Sequence, residues 1–153
     1  MKESHAVRIL MVEDNTGDVR LTQEAFADAG LDNELRVAHD GEDALVKLGF
    51  DLDDLDGERH SVDLPDLMII DLNLPKIDGR ELVEVMKRTV PLTHIPVIIL
   101  TNSLDDRHLT ISHLLPTRAY VEKPITVPSL INALQSYPAF GFQITRRTAD
   151  KDA

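Results

Sequence analysis

Five side chains able to do chemistry stand at or just after the ends of short apolar runs. ILMV leads into Glu13 and Asp14, LMII into Asp71, VIIL into Thr101, and the run Ala119 to Val121 into Glu122-Lys123-Pro124. If these run ends meet, three carboxylates crowd together, which is costly unless a cation or a proton relieves the repulsion. A divalent ion suits them. Mg2+ prefers octahedral oxygen coordination and typically takes one or two carboxylates plus a phosphate oxygen. Asp14 and Asp71 would supply carboxylates, the backbone carbonyl of Asn73 a third oxygen, and Glu13 would hold waters of the ion. A carboxylate beside such an ion can also attack phosphorus, a step that needs positioning and charge neutralisation more than covalent help. The Lys123 ammonium would balance phosphoryl oxygens, and the Thr101 hydroxyl would donate a hydrogen bond to one of them.

These residues converge only if the runs are parallel strands, because in a doubly wound sheet ligands bind outside the carboxyl ends of the strands. The runs Val7 to Val12, Leu35 to Ala38, Leu67 to Leu72, Val97 to Leu100 and Ala119 to Val121 are too short for helices. The third and fourth are continuously apolar and branched, as expected of central strands buried on both faces. Helical segments alternate with them. Asp18 to Ala29 spaces Val19 and Phe26 two turns apart with Leu21 and Ala25 nearby, and Gly30 follows as a left-handed C-terminal residue. Asp40 caps a short helix through Leu48. Arg80 to Thr89 places Leu82, Val83 and Met86 on one face before Pro91 stops it, and Asp105 to Leu115 is polar around most of its circumference. In the last segment Thr126 can cap, Pro128 sits in the first turn, and Val127, Leu130, Ile131 and Leu134 follow helical spacing. Strands alternating with helices predict a doubly wound α/β domain with right-handed crossovers.

The chain has 153 residues, 42% of them hydrophobic and 28% charged, which suits one globular domain. Sixteen Lys and Arg against 27 Asp and Glu leave a formal charge of −11, a field that argues against nucleic acid or anionic lipid as partner. There is no cysteine, hence no disulfide framework or thiolate metal site. The N-terminal stretch is unlike a secretory signal and no apolar run approaches membrane-spanning length, so the expected location is cytoplasmic with no membrane partner. The acidic stretch within Phe50 to Pro65 fails as an EF-hand, since placing Gly57 sixth makes Leu52 the first ligand. The six histidines form no HExxH pair, and Gly17 alone makes no GxGxxG, which disfavours a zinc or dinucleotide site. Tyr137, Phe140 and Phe142 would cover an edge of the core or form a partner surface beside the last helix.

In their order, ILMVEDN, MIIDLNLPKIDG, VIILTNS and YVEKP resemble the receiver domain of two-component response regulators. VEDNTGDVRLTQEAF and DLNLPKIDGRELVEVMK resemble most the stand-alone regulators associated with bacterial phytochromes. The resemblance implies a flavodoxin-like (βα)5 fold with a five-stranded parallel sheet in the order 2-1-3-4-5, a receiver over 5–137 and a tail over 138–153. It implies that Asp71 is the phosphoacceptor, that Glu13 and Asp14 bind Mg2+, and that Asn73 gives a backbone carbonyl to the metal. Thr101 and Lys123 match the phosphate-sensing hydroxyl and the ammonium, Tyr120 the aromatic switch, and Lys123-Pro124 a bond that is usually cis. Asn102 departs from the smaller residue frequent at its place, which bears on phosphate lifetime.

The implied activity is that of a switch rather than an enzyme: a sensor histidine kinase donates a phosphoryl group to Asp71, and the chain promotes its own phosphorylation and dephosphorylation. A surface of the fourth helix, fifth strand and fifth helix would then change its preferred partner, whether a downstream phosphorelay or effector protein or a second copy in a homodimer. One alternative is a phosphatase of the haloacid dehalogenase type, which needs a second Asp where Asn73 stands. The other is a degenerate receiver that only binds, against which all the phosphorylation positions are filled.

Overall fold

The computed structural model describes residues 6–72, 74, 77–103, 115 and 119–137. The described elements run β1 (Val7–Val12), α1 (Thr16–Asp28), β2 (Asn33–Ala38), α2 (Gly41–Lys47), β3 (Leu67–Asp71), α3 (Gly79–Lys87), a 3-10 turn (Leu92–His94), β4 (Val97–Thr101), β5 (Tyr120–Glu122) and α4 (Val127–Leu134). All five strands are parallel, in the order β2-β1-β3-β4-β5. This is the expected doubly wound sheet. The helix expected over Asp105 to Leu115 lies outside the described residues apart from Leu115, which is buried, and the tail after Tyr137 lies outside them too.

Alternation along the strands divides the interior into two layers. Leu10, Val12, Met68 and Ile70 face α2 and α3 and pack with Ala44, Leu45, Leu82, Val83 and Met86. Ile9, Met11, Leu67 and Ile69 face the other way, towards Phe26 of α1 and Leu130, Ala133 and Leu134 of α4. Every residue of β3 and β4 is buried, as continuous apolar runs covered on both faces require.

The helix ends explain where expected boundaries moved. Asn15 caps α1 by accepting from the Asp18 backbone N–H at 3.0 Å, so the helix starts two residues before Asp18. Within α1, Leu21 faces solvent and Thr22 is buried in its place, one turn before Phe26, its hydroxyl satisfied by the Asp18 carbonyl at 2.9 Å. Gly30 takes φ 74°, the left-handed form expected after the helix. Asp40 caps α2, Asp78 caps α3 just ahead of the expected start, and α3 ends at Lys87 rather than Thr89. Thr126 and Ser129 form a reciprocal capping box on α4 with Pro128 in its first turn.

The acidic excursion between α2 and β3 is tied back to the residues that follow α2. His60 N–H donates to the Gly49 carbonyl at 2.7 Å, and Arg59 donates to the Leu48 carbonyl at 2.6 Å while lying over the buried Phe50 ring. At the start of β4, Tyr137 serves as a surrogate strand. Its hydroxyl donates to the Val97 carbonyl at 2.5 Å and accepts from the Val97 N–H at 3.1 Å, covering backbone that the three-residue β5 does not reach. Tyr137 thus covers an edge of the core; Phe140 and Phe142 lie outside the described residues.

Candidate phosphoryl and metal site

β1 delivers Glu13 and Asp14. The Glu13 N–H continues the pairing with β2 by donating to the Ala38 carbonyl at 3.0 Å, which holds this residue one step past the strand and 1% exposed. Its Oε1 accepts from the Asn15 N–H at 3.2 Å, and Asp14 beside it is solvent-exposed. β3 delivers Asp71, its last residue, also buried. The start of α3 presses against this strand end, because a Cβ at Gly79 would stand 2.7 Å from the Asp71 carbonyl oxygen. Only glycine lets the helix approach this closely.

β5 and its continuation deliver Lys123, whose N–H donates to the Thr101 carbonyl at 2.8 Å. Its ammonium lies 3.0 Å from Asp71 Oδ2, 3.0 Å from Glu13 Oε2 and 2.9 Å from Asp18 Oδ2. The contacts to Asp71 and Asp18 are hydrogen bonds. The approach to Glu13 pairs charges without hydrogen-bond alignment, leaving the buried Oε2 short of a donor. The Lys123-Pro124 bond is cis, as expected, and so is Val90-Pro91.

Charge and burial oppose one another here. Burial pushes the Glu13 carboxyl up to about 7, while the Lys123 ammonium and the Asn15 N–H pull it down and neighbouring Asp71 pushes it further up. Burial also works against the Lys123 charge, but the hydrogen bonds to Asp18 and Asp71 and the nearby Glu13 carboxylate outweigh it and hold the ammonium above the ordinary lysine range. One ammonium therefore serves three carboxylates. Glu13, Asp14 and Asp71 each bring an oxygen within 4.8 Å of the others, an all-oxygen donor set that suits a hard divalent cation. The under-donated Glu13 oxygen fits the same ligand.

The strand ends thus bring together Glu13, Asp14, Asp71 and Lys123. Thr101 is buried at the end of β4, but its hydroxyl donates to the Ser103 carbonyl at 2.9 Å and accepts from the Ser103 N–H at 3.2 Å, so its own loop occupies it. Tyr120 begins β5 and is buried in the layer of α2 and α3. Asn73 lies outside the described residues. Reading the strand ends alone passed over Asp18, which reaches Lys123 from the first turn of α1. Its position four residues after Asp14, on the helix that leaves the acidic pair, was the available signal.

Comparison with known proteins gives this arrangement a family. A family model described as the response regulator receiver domain matches residues 9–135. The response regulator Rcp1 of Synechocystis sp. is 35% identical over 132 residues, covering 86% of each chain. A solved Mn2+-bound form of Rcp1 aligns with TM-score 0.64 and 32% identity, covering 86% of this chain and 93% of that one. The bacteriophytochrome response regulator AtBRR aligns with TM-score 0.71 and 36% identity, covering 87% and 93%. The phosphorylated cyanobacterial phytochrome response regulator RcpA aligns with TM-score 0.64 and 33% identity, covering 84% and 90%. Sheet order, acidic strand ends and these likenesses agree: the chain belongs to the response regulator receiver family, among relatives of the phytochrome-associated type.

Proposed function

We propose that this receiver takes a phosphoryl group from a sensor histidine kinase onto Asp71 with the help of Mg2+, and that the adduct changes which protein it binds. The observation that carries the reading is the Lys123 ammonium 3.0 Å from Asp71 Oδ2, beside a triad of carboxylates that can share a divalent ion. RcpA, a relative, has been seen phosphorylated, and Rcp1 with Mn2+.

In the proposed step an Asp71 carboxylate oxygen forms a bond to phosphorus as the phosphorus–nitrogen bond of the donor phosphohistidine breaks, its electron pair staying on the imidazole. Glu13, Asp14 and Asp71, with the Asn73 carbonyl, would hold Mg2+, which when bound supplies positive charge for the phosphoryl oxygens. Lys123 already faces the acceptor and supplies the second counter-charge. Thr101 must release Ser103 before its hydroxyl can serve a phosphoryl oxygen, and that exchange couples the adduct to the loop after β4. Tyr120, on the strand beside it, is the aromatic that follows. The affected surface would comprise the 105–115 segment, β5 and α4, where an effector, a relay protein or a second copy would dock. The receiver spans 5–137 in this reading, with 138–153 as its tail.

Incubation with Mg2+ and acetyl phosphate tests it. The expected result is one acid-stable, base-labile phosphoryl adduct that Asp71→Asn abolishes. Multiple turnover of small phosphate esters would instead indicate a phosphatase of the haloacid dehalogenase type, and no adduct would indicate a receiver that only binds.

A further inference from the structure

We propose that Asp18 is a positioning residue for phosphoryl transfer: it is a second anchor that keeps the Lys123 ammonium at the acceptor while Asp71 is being esterified. The inference rests on the reading of Asp71 as phosphoacceptor. An acidic residue in the first turn of a helix ordinarily turns back to bond the N-cap backbone N–H. Here the Asn15 N–H is already taken by Glu13 Oε1 at 3.2 Å, so the Asp18 carboxylate is released from local capping. It spans to Lys123, 105 residues away in sequence, and bonds its ammonium at 2.9 Å. The Asp18 backbone is pinned from two sides, its N–H on Asn15 Oδ1 at 3.0 Å and its carbonyl receiving the Thr22 hydroxyl at 2.9 Å. The anchor is rigid.

Such an anchor matters because of what transfer does to the other contacts. Lys123 is held by Asp71, Asp18 and the poorly aligned Glu13. When an Asp71 oxygen bonds to phosphorus, that carboxylate loses its charge, and the negative charge moves outward onto the phosphoryl oxygens. Glu13, claimed by a divalent ion, cannot steer the ammonium alone. Asp18 is not itself esterified, so its hydrogen bond persists and lets Lys123 pivot from the Asp71 carboxylate to a phosphoryl oxygen without leaving the site. Thr101 is engaged by Ser103, so Lys123 is the phosphate-stabilising group already in place, and its placement matters most.

The test uses the full chain with saturating Mg2+ and acetyl phosphate, in which the Asp71 oxygen–phosphorus bond forms as the phosphorus–oxygen bond to acetate breaks and acetate leaves with the electron pair. Asp18→Ala should slow adduct formation about tenfold or more, the scale on which misplacing a reacting group acts. Asp18→Asn keeps an acceptor for the ammonium and should recover to within about threefold of the parent. Both variants are assayed well below their thermal midpoints, Mg2+ affinity should stay within about twofold of the parent in both, and the 15N ammonium resonance of Lys123 should broaden in Asp18→Ala only. If Asp18→Ala matches the parent while Asp71→Asn forms no adduct, the anchor is wrong and the phosphoacceptor reading stands. Faster reaction in both variants would reduce Asp18 to repelling an anionic donor, and equal slowing with a lowered midpoint would make it structural; each overturns the proposal. No adduct on the parent chain overturns both readings.

Discussion

Two acidic regions of this molecule contain the same residue types at similar density and behave differently. At the carboxyl ends of β1 and β3, with the first turn of α1, Glu13, Asp71 and Asp18 come from three separate elements and gather about one ammonium, with Asp14 beside the first two. In the excursion between α2 and β3, Asp51, Asp53, Asp54, Asp56 and Glu58 follow one another along the chain and all face solvent. The excursion settles its polar groups locally, the Asp53 N–H bonding Asp51 Oδ1 at 2.9 Å. The difference lies in convergence and burial, not in the number of charges. Water screens neighbouring carboxylates on a loop, whereas a sheet edge forces them together where little water reaches.

The sharpest way to break this contrast is to remove the shared cation. Lys123→Met strips the counter-charge from Glu13, Asp18 and Asp71 at once, and removing one partner of a buried ion pair typically costs about 3–5 kcal/mol. Urea unfolding in EDTA should show a loss of that order. Mg2+ should restore part of it, because a ligand bound only to the folded chain stabilises it and brings two positive charges to the same oxygens. A Lys123→Met protein as stable as the parent in EDTA would mean that the carboxylates are not held against repulsion.

The next effect sharpens the contrast through pH. Folded Glu13 releases its proton at about 7, against 4.5 for an ordinary glutamate. Between those values the folded chain binds a proton that the unfolded chain has lost, so the contribution of Glu13 to stability falls as pH rises, by roughly 3 kcal/mol across the window. Below that window the contribution is intact, and above it the loss is complete. In EDTA, parent and Glu13→Gln should therefore diverge in urea midpoint between pH 5 and 8, the parent losing relative stability. Metal binding needs the ionised carboxylate, so Mg2+ should raise the parent thermal midpoint more at pH 8 than at pH 6. Parallel pH slopes for the two proteins would show that Glu13 is not buried against its charge.

How far the sequence anticipates this depends on whether a property is local. The five strands announced themselves because runs such as LMII and VIIL must be covered on both faces, and parallel strands then send Glu13, Asp14, Asp71 and Lys123 to one edge. Asp18 was missed because a helix folding back over a strand end brings its first turn into reach only in three dimensions. The Thr101 hydroxyl, expected from the sequence to serve a phosphoryl oxygen, is held in the fold by Ser103, two residues on. Leu21 faces outward because it lies five residues before the buried Phe26, whereas Thr22, four residues before it, shares the buried face of α1. The hold of Tyr137 on Val97 depends on how short β5 is, and a boundary of that kind is fixed by pairing and not by composition.

The smallest expected effect is the control on the other side of the contrast. The double variant Asp53→Asn, Asp56→Asn removes two charges from the excursion, as many as Glu13→Gln with Asp18→Asn would remove from the site. Both residues are exposed, and exposed substitutions away from packed features usually stay within about 0.5 kcal/mol. What tethers the excursion is Arg59 on the Leu48 carbonyl and over Phe50, and neither asparagine touches that. Urea midpoint, Mg2+ affinity and the rate of reaction with acetyl phosphate should therefore all match the parent at 0.15 M salt, where the screening length is about 8 Å. If the double variant weakened Mg2+ binding several-fold, the field of the whole acidic surface, rather than convergence at the sheet edge, would be setting the affinity of the site.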